Sequence, residues 1–233
     1  MSADAVVLGA GSSARMGGTD KLLADLEGDP VIVWSLRAFE ACQGIRSVAV
    51  TTSEHNEPEI REVVARAGLT KVRVFVRGGT SRAESVLHGL RALNSEPPDY
   101  VAVHDGARPL VTPMLIEDGL RMARVYGAAV AAVPATDTLK IVDRDRLVIR
   151  TPLRSTIWHA QTPQFARFAD LLGAHERQTA MLDLYTDDVS VLEAEGLPVR
   201  VFEGSRENLK ITTPDDLHAA ARIVRQRLAA AAT

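Results

Sequence analysis

Short apolar runs rich in β-branched residues alternate along the chain with longer segments in which apolar side chains recur every three or four positions. The short runs predict β-strands, and the longer ones predict amphipathic helices. The predicted strands are residues 4–10, 47–52, 72–76, 100–104 and 128–133, and the predicted helices are residues 30–42, 58–68, 81–93 and 113–127. Because the strands are almost continuously apolar and helices separate them, we predict an α/β fold with a Rossmann-like, mostly parallel sheet and helices on both faces.

The alternation changes after the fifth predicted strand. Residues 137–157 contain short alternating runs on either side of the charged turn Asp143–Arg146, which predicts a β-hairpin arm that projects from the sheet. We then predict helices at residues 165–178 and 186–196, strands at residues 199–204 and 208–212, and a closing helix that begins at Thr213-Pro214-Asp215. We expect residues 1–233 to form a single domain that includes the arm.

The composition is that of a globular protein, with 46% hydrophobic and 24% charged residues. The net charge of −3 gives no overall positive field for nucleic acid or an anionic membrane, so an anionic ligand must meet a local group of cations. Cys42 is the only cysteine, which excludes an intrachain disulfide. With no basic leader and no apolar run of the roughly 20 residues that span a bilayer, we expect a cytoplasmic protein without membrane or nucleic-acid partners.

The first candidate for chemistry is the glycine-rich loop after the first strand. Gly9, Gly11 and Ala14 fit the G-x-G-x-x-A spacing of a dinucleotide-binding turn. A Rossmann site also has an acidic residue at the end of the second strand, but here that strand ends in Thr51-Thr52. By itself, the spacing is equally typical of a tight strand-to-helix turn.

Two cations in the same segment favour a phosphate ligand. Arg15 and Lys21 supply more positive charge than a nicotinamide dinucleotide needs. A long loop of glycine and serine residues can direct successive backbone N–H groups at phosphate oxygens, and the two side chains add positive charge there. Since the segment also lacks the pattern of a Walker A loop, we predict a distinct loop that binds a triphosphate.

Three further fragments carry polar residues next to predicted strands. "RGGTSRAESV" puts Gly78-Gly79 after the third strand and Arg82 at a helix start, where an anion or a polar base can bind. "VHDGARP" puts Asp105 at the end of the fourth strand, where it can organise Mg²⁺ directly or through water, or form only an Asx turn. "ENLKITTPDDL" contains Lys210, which taken alone would be a solvated surface lysine.

Seven fragments, in this order and over nearly the whole chain, resemble one known family. They are "GAGSSARM" with the lysine that follows it, "GGTSRAESV", "VHDGARP", "DTLK", "WHAQTPQF", "YTDD" and "NLKITTPDDL". Together they resemble the methylerythritol phosphate cytidylyltransferases of isoprenoid precursor synthesis. The resemblance implies transfer of CMP from CTP to 2-C-methyl-D-erythritol 4-phosphate, with Mg²⁺ as the cofactor and release of pyrophosphate.

The resemblance also implies a role for each candidate residue. The residues that would wrap the triphosphate are Ala10, Gly11, Ser12 and Ser13, and those that would line the cytidine pocket are Gly79, Thr80, Ser85 and Gly106. The residues that would bind the acceptor are Asp105, Thr162, Thr186 and Lys210, with Thr138 and Arg154 supplied by the hairpin of a second subunit. Arg15 and Lys21 would stabilise charge at the reacting phosphorus, and Lys210 would be a third catalytic cation. The resemblance therefore implies a homodimer with shared sites.

The chemistry of such a transfer fits these residues without reference to the family. A phosphate monoester is largely dianionic at pH 7, so it needs no general base to act as a nucleophile. The extra charge at a five-coordinate phosphorus must be spread over fixed cations, so we expect catalysis by positioning and electrostatics. We interpret His104 and His159 as structural rather than as proton-transfer residues.

Two alternatives stay open at this point. A ribitol phosphate cytidylyltransferase, or another polyol- or sugar-phosphate nucleotidyltransferase, would share the CTP half of the site and differ in the acceptor half. A non-catalytic dinucleotide-binding protein is favoured by the glycine spacing alone. The missing acidic residue and the surplus cations disfavour it.

Overall fold

The computed structural model describes residues 1–11 and 20–231. Its strands are β1 (Ala3–Leu8), β2 (Asp25–Leu26), β3 (Asp29–Pro30), β4 (Val48–Thr52), β5 (Val72–Arg77), β6 (Tyr100–Asp105), β7 (Ala128–Pro134), β8 (Ile141–Val142), β9 (Val148–Arg150), β10 (Trp158–Arg167) and β11 (Arg200–Glu203). Its helices are α1 (Val31–Ala41), α2 (Glu57–Arg66), α3 (Arg82–Leu93), α4 (Pro113–Tyr126), α5 (Phe168–Arg177), α6 (Asp188–Ala194) and α7 (Pro214–Ala231).

Seven of these strands form the central sheet, in the order β11-β7-β10-β6-β1-β4-β5. Only β10 runs antiparallel to its neighbours, so the mostly parallel sheet predicted from the sequence is confirmed. From β1 the chain moves outward to β4 and β5 and then returns to the other side of β1 with β6. Ligands of open α/β sheets bind at such a reversal, outside the carboxyl ends of the strands.

Helices cover both faces of the sheet, as predicted. One face packs against apolar side chains of α1, α2 and α4, including Phe39, Ile60 and Ile116. The other face packs against α3, α5 and α6 through residues such as Leu90 and Leu171. Burial on both sides explains why the parallel strands read as continuous apolar runs rather than as alternating ones.

The structure corrects two predictions in the last third of the chain. The helix predicted at residues 165–178 is present as α5, but its predicted start is wrong, because β10 continues through Arg167 and α5 begins at Phe168. Gln161 and Gln164 are buried in β10, where their side-chain amides bond neighbouring segments, and these polar residues hide the apolar pattern of a strand. A strand at residues 208–212 is also wrong, since that segment is irregular.

The predicted arm is present as a separate β-hairpin of β8 and β9. Its turn follows from local chemistry, because the Asp143 carboxylate accepts hydrogen bonds from the backbone N–H groups of Asp145 and Leu147, both at 2.9 Å. Leu147 is 70% exposed and Ile149 is 63% exposed, so the hairpin presents apolar side chains to its surroundings. Among the described residues, no helix is both long enough and apolar enough to cross a membrane.

Candidate active site

A cavity of about 400 Å³ opens at the carboxyl edge of the sheet, where β1 and β6 end. The predicted site residues that line it are Ala10, Gly11, Lys21, Gly79, Thr80, Ser85, Asp105 and Lys210. Residues from four separate fragments thus meet at one cavity, because the carboxyl ends of parallel strands lie at the same edge of the sheet.

Asp105, the last residue of β6, lies at the centre of a group of cations. Its Oδ2 is 2.7 Å from the Lys210 Nζ, and its Oδ1 is 3.2 Å from the Arg82 Nε. The Arg108 Nε lies 3.9 Å from the same carboxylate. Burial by itself would raise the pKa of Asp105, but the charges of Arg82 and Lys210 more than offset it and hold that pKa well below its usual range.

Thr162 bonds the backbone of Asp105 and does not line the cavity. It is buried, and its hydroxyl oxygen accepts a hydrogen bond of 3.0 Å from the Asp105 backbone N–H. The same hydroxyl lies 3.1 Å from the His104 Nδ1, to which it is free to donate. The His104 Nε2 lies 3.2 Å from the Arg108 carbonyl oxygen, so both ring nitrogens have partners.

This arrangement fits a neutral, structural His104. Burial lowers its pKa to about 3, so the imidazole is uncharged near neutral pH. With a hydroxyl donor at Nδ1 and a carbonyl acceptor at Nε2, the ring carries its proton on Nε2. His159 lies at the exposed start of β10, where it pairs with Val133 of β7.

Arg82 is held by a buried carboxylate that sequence reasoning missed. Its guanidinium donates two hydrogen bonds to Asp188, to Oδ1 at 3.0 Å and to Oδ2 at 2.8 Å, while its Nε reaches Asp105. Asp188 is 1% exposed and begins α6, 106 positions away along the chain. Fixed between two carboxylates, Arg82 is preorganised at the wall of the cavity.

Arg108 is a second functional candidate that the sequence did not reveal. Its Nη1 donates to the Asn208 carbonyl oxygen at 2.8 Å, and within the described part of the chain its buried Nε has no hydrogen-bond partner. Three cationic side chains, Arg82, Arg108 and Lys210, thus surround two carboxylates. Positive charge therefore exceeds negative charge within this group of side chains, although the net charge of the protein is −3.

The loop before α3 forms another wall of the cavity. Ser81 caps α3, since its side chain accepts a hydrogen bond from the Glu84 N–H. The Ser85 hydroxyl accepts the Gly79 N–H at 3.0 Å, and the Thr80 hydroxyl donates to Glu84 at 2.7 Å. A Cβ atom at Gly78 would lie only 2.2 Å from the Ala10 Cβ, so the two loops can approach this closely only with glycine there.

The remaining predicted site residues lie elsewhere. Gly106 is buried beside the cavity, between the lining residues Asp105 and Ala107, and its N–H donates to the Leu8 carbonyl oxygen at 3.0 Å. The residues that are exposed and do not line the cavity are Thr138, Arg154 and Thr186. The predicted residues that lie outside the described part of the chain are Ser12, Ser13 and Arg15.

No metal centre is built from side chains in residues 1–11 and 20–231, where no group of three or more His, Cys, Asp or Glu residues could hold an ion. Asp105, the predicted metal residue, has both carboxylate oxygens engaged with cations. The charges of Arg82 and Lys210 already neutralise this carboxylate, so its surroundings favour contact with Mg²⁺ through water over direct coordination.

The ion pair between Arg82 and Asp188 leads to a prediction about the free energy of unfolding. We expect Asp188→Ala to lower the free energy of unfolding by about 3 kcal/mol, because it leaves a largely buried guanidinium with one of its two carboxylates. Urea unfolding followed by circular dichroism measures the change. The matched control is Asp118→Ala, which removes an exposed pair with Arg121 and should cost less than about 1 kcal/mol. Equal losses in the two variants would contradict the prediction.

A cation-lined cavity at the reversal point of a mostly parallel sheet defines an α/β protein that binds a phosphorylated ligand. Comparison with known proteins makes the assignment narrower. The IspD family, described as 2-C-methyl-D-erythritol 4-phosphate cytidylyltransferase, matches residues 3–226. The chain belongs to this family, whose members are nucleotidyltransferases.

Individual relatives agree with the family match. A 2-C-methyl-D-erythritol 4-phosphate cytidylyltransferase of Pelotomaculum thermopropionicum is 43% identical over 227 residues, which cover 96% of this chain and 94% of the relative. The crystal structure of 4-diphosphocytidyl-2C-methyl-D-erythritol synthase from Anaerococcus prevotii superposes with a TM-score of 0.86 at 26% identity and covers 96% of each chain. That of the cytidylyltransferase from Thermus thermophilus has a TM-score of 0.75 at 30% identity, with 94% of this chain and 98% of that chain covered.

Proposed function

We propose that this protein transfers CMP from CTP to 2-C-methyl-D-erythritol 4-phosphate, forming 4-diphosphocytidyl-2-C-methyl-D-erythritol and releasing pyrophosphate. The family supports the reaction. The observation in the structure that carries it is the local surplus of fixed cations around Asp105. Two polyanionic substrates can be brought into contact only where such charge is available.

In this reaction an oxygen of the acceptor phosphate attacks the α-phosphorus of CTP, and the bond from that phosphorus to the pyrophosphate oxygen breaks. The acceptor is already anionic, so no side chain has to remove a proton. We assign the stabilisation of charge at the five-coordinate phosphorus to Lys21 and Arg15, and the binding of the acceptor phosphate to Lys210. Preorganised cations of this kind act without reorganisation during the reaction.

The walls of the cavity divide between the two substrates. We assign the nucleotide to the side formed by Ala10, Gly11, Gly79, Thr80 and Ser85, where the residues after β1 meet the loop before α3. The acceptor then occupies the side formed by Asp105 and Lys210, with Thr162 as a support. Asp105 has lone pairs for the hydroxyl groups of a polyol as well as for the cations.

Mg²⁺ is part of this proposal as an ion that the triphosphate carries. Triphosphate oxygens suit its preference for oxygen ligands, and it commonly keeps several waters. Asp105 would then interact with the ion through water rather than by direct coordination. The ion supplies charge neutralisation, and every positioning role described above belongs to the side chains of the protein.

We also propose a cytoplasmic homodimer in which the arm of each subunit completes the site of the other. The exposed apolar side chains of the hairpin, such as Leu147 and Ile149, support a surface that is covered in an assembly. Arg154 follows this hairpin in a short 3₁₀ turn, where its Nη1 donates to the Thr136 carbonyl oxygen at 2.9 Å. In its own chain it does not line the cavity.

The assay of choice is pyrophosphate release with a panel of nucleotides and acceptors. We expect CTP with 2-C-methyl-D-erythritol 4-phosphate and Mg²⁺ to give the highest kcat/KM, because the family supports that pair. Faster turnover of ribitol 5-phosphate would move the assignment to that polyol phosphate. Equal use of ATP and CTP would contradict the cytidine assignment, and no release with any pair would overturn the enzymatic function.

A further inference from the structure

Asn56 lies between the two ends of the glycine-rich segment and bonds to both. Its side-chain Nδ2 donates to the Gly9 carbonyl oxygen at 2.9 Å and to the Asp20 Oδ2 at 2.8 Å. Gly9 follows β1, and Asp20 precedes Lys21, which lines the cavity. One buried amide nitrogen, in a residue that is 2% exposed, therefore joins two positions that are eleven residues apart in the chain.

Chemistry fixes the orientation of this amide. A carbonyl oxygen and a carboxylate oxygen can only accept, so the atom that faces both must be the nitrogen. The Asn56 Oδ1 in turn accepts the backbone N–H of Ser53 at 2.9 Å. Both amide hydrogens and the oxygen therefore have partners, which is the condition for a buried amide to be stabilising.

The ordinary role of an asparagine at this position does not account for these bonds. Asn56 is the residue at the N-cap of α2, where a side chain usually accepts an N–H group of the first helical turn. Here the side chain makes no such bond. It bonds Gly9 and Asp20 instead, while the backbone N–H of Ser53, the residue after β4, donates to its Oδ1.

Asp20 also bonds the residues that follow Lys21, the proposed catalytic lysine. The Asp20 Oδ1 accepts the Leu22 N–H at 3.0 Å, and its backbone carbonyl accepts the N–H groups of Leu23 and Ala24, both at 3.0 Å. Lys21 thus lies within a turn whose first residue is tied to Asn56. Any movement of Asp20 relative to Gly9 would move the Lys21 backbone relative to the end of β1.

We infer that Asn56 is a positioning residue that fixes Lys21 relative to Gly9, and so relative to the nucleotide side of the cavity, by bonding Gly9 and Asp20 at once. The inference rests on the proposed function and deepens it, since it adds a residue that touches no substrate to the machinery of phosphoryl transfer. A displacement of about 1 Å in such a site costs up to about 10²-fold in rate.

The test is a set of Asn56 and Asp20 variants, measured by pyrophosphate release and by calorimetric titration of CTP without acceptor. We expect Asn56→Ala to lower kcat about tenfold or more and to weaken CTP binding, with the KM for the acceptor changed less than about twofold. Asn56→Asp should lower kcat about 10²-fold, because it places a second carboxylate against Asp20.

The double variant Asp20→Asn with Asn56→Asp exchanges donor and acceptor and removes the repulsion. We expect it to recover about tenfold in kcat over Asn56→Asp alone, although the bond to Gly9 stays lost. A double variant no better than Asn56→Asp would overturn the inference. Should Asn56→Asp fail to fold, Asn56→Ala decides by itself, since unchanged kcat and CTP affinity in that variant would also overturn it.

The matched control is Ser53→Ala, which removes a hydroxyl from the same turn but keeps the Ser53 N–H that holds the Asn56 amide. We expect its kcat to stay near that of the wild type. If the role of Asn56 were purely structural, Asn56→Ala would have a lower melting temperature than the wild type but an unchanged kcat at temperatures where it stays folded. If the wild type itself released no pyrophosphate, the proposed function would fail, whereas the loss of CTP affinity in Asn56→Ala would still decide the inference.

Discussion

Lys21→Ala is expected to lower kcat by about 10² or more, with a smaller change in the KM for CTP. The reason is that the negative charge on the oxygens around the reacting phosphorus is largest in the transition state. A cation beside these oxygens therefore stabilises the transition state more than the bound substrate. Removing one preorganised donor or charge from such a site typically costs this much. Steady-state pyrophosphate release with varied CTP separates kcat from KM.

The control for this variant is the same substitution at a lysine far from the cavity. Lys71 precedes β5, at the amino end of the strand, and its Nζ donates to the Cys42 carbonyl oxygen at 2.6 Å. We expect Lys71→Ala to affect stability and to leave kcat near that of the wild type. A loss confined to KM in Lys21→Ala would make Lys21 a ground-state phosphate ligand. Unchanged kinetics would remove it from the site.

The parallel strands could be predicted because their burial is encoded locally. A strand covered on both faces by helices needs a continuous run of apolar side chains rather than an alternating one, and β1, β4 and β6 each contain such a run. β10 could not be recognised in this way. Its buried positions include Gln161, Thr162 and Gln164, whose polar atoms are satisfied by bonds that only the folded chain provides.

The residues of the candidate site also differ in whether the sequence reveals them. Asp105 could be found because it ends a strand, and the ends of parallel strands lie together. Asp188, Arg108 and Asn56 could not, because their importance comes from partners that are distant in the sequence. Asp188 bonds a residue 106 positions away, and Asn56 bonds one 47 positions away. Such pairings are a property of the tertiary structure, so a single sequence shows no sign of them.

The segment from Ser12 to Thr19 lies outside the described residues, so the predicted roles of Ser12, Ser13 and Arg15 stay predictions. The same holds for Thr138 and Arg154, whose proposed contribution depends on a second subunit. For Arg154 the question can be answered with two inactive variants. The experiment tests the shared site directly, because only a mixed dimer can combine intact residues from two chains.

Mixing Arg154→Ala subunits with Lys21→Ala subunits is expected to restore about a quarter of the wild-type activity, although each variant alone is nearly inactive. After complete exchange at equal amounts, about half of the dimers are mixed, and each of them holds one site with both residues intact. Exchange is followed by native mass spectrometry of differently tagged subunits, and activity by pyrophosphate release. No recovery despite proven exchange would mean that Arg154 serves its own chain, and a monomer at the assay concentration would remove the shared site altogether.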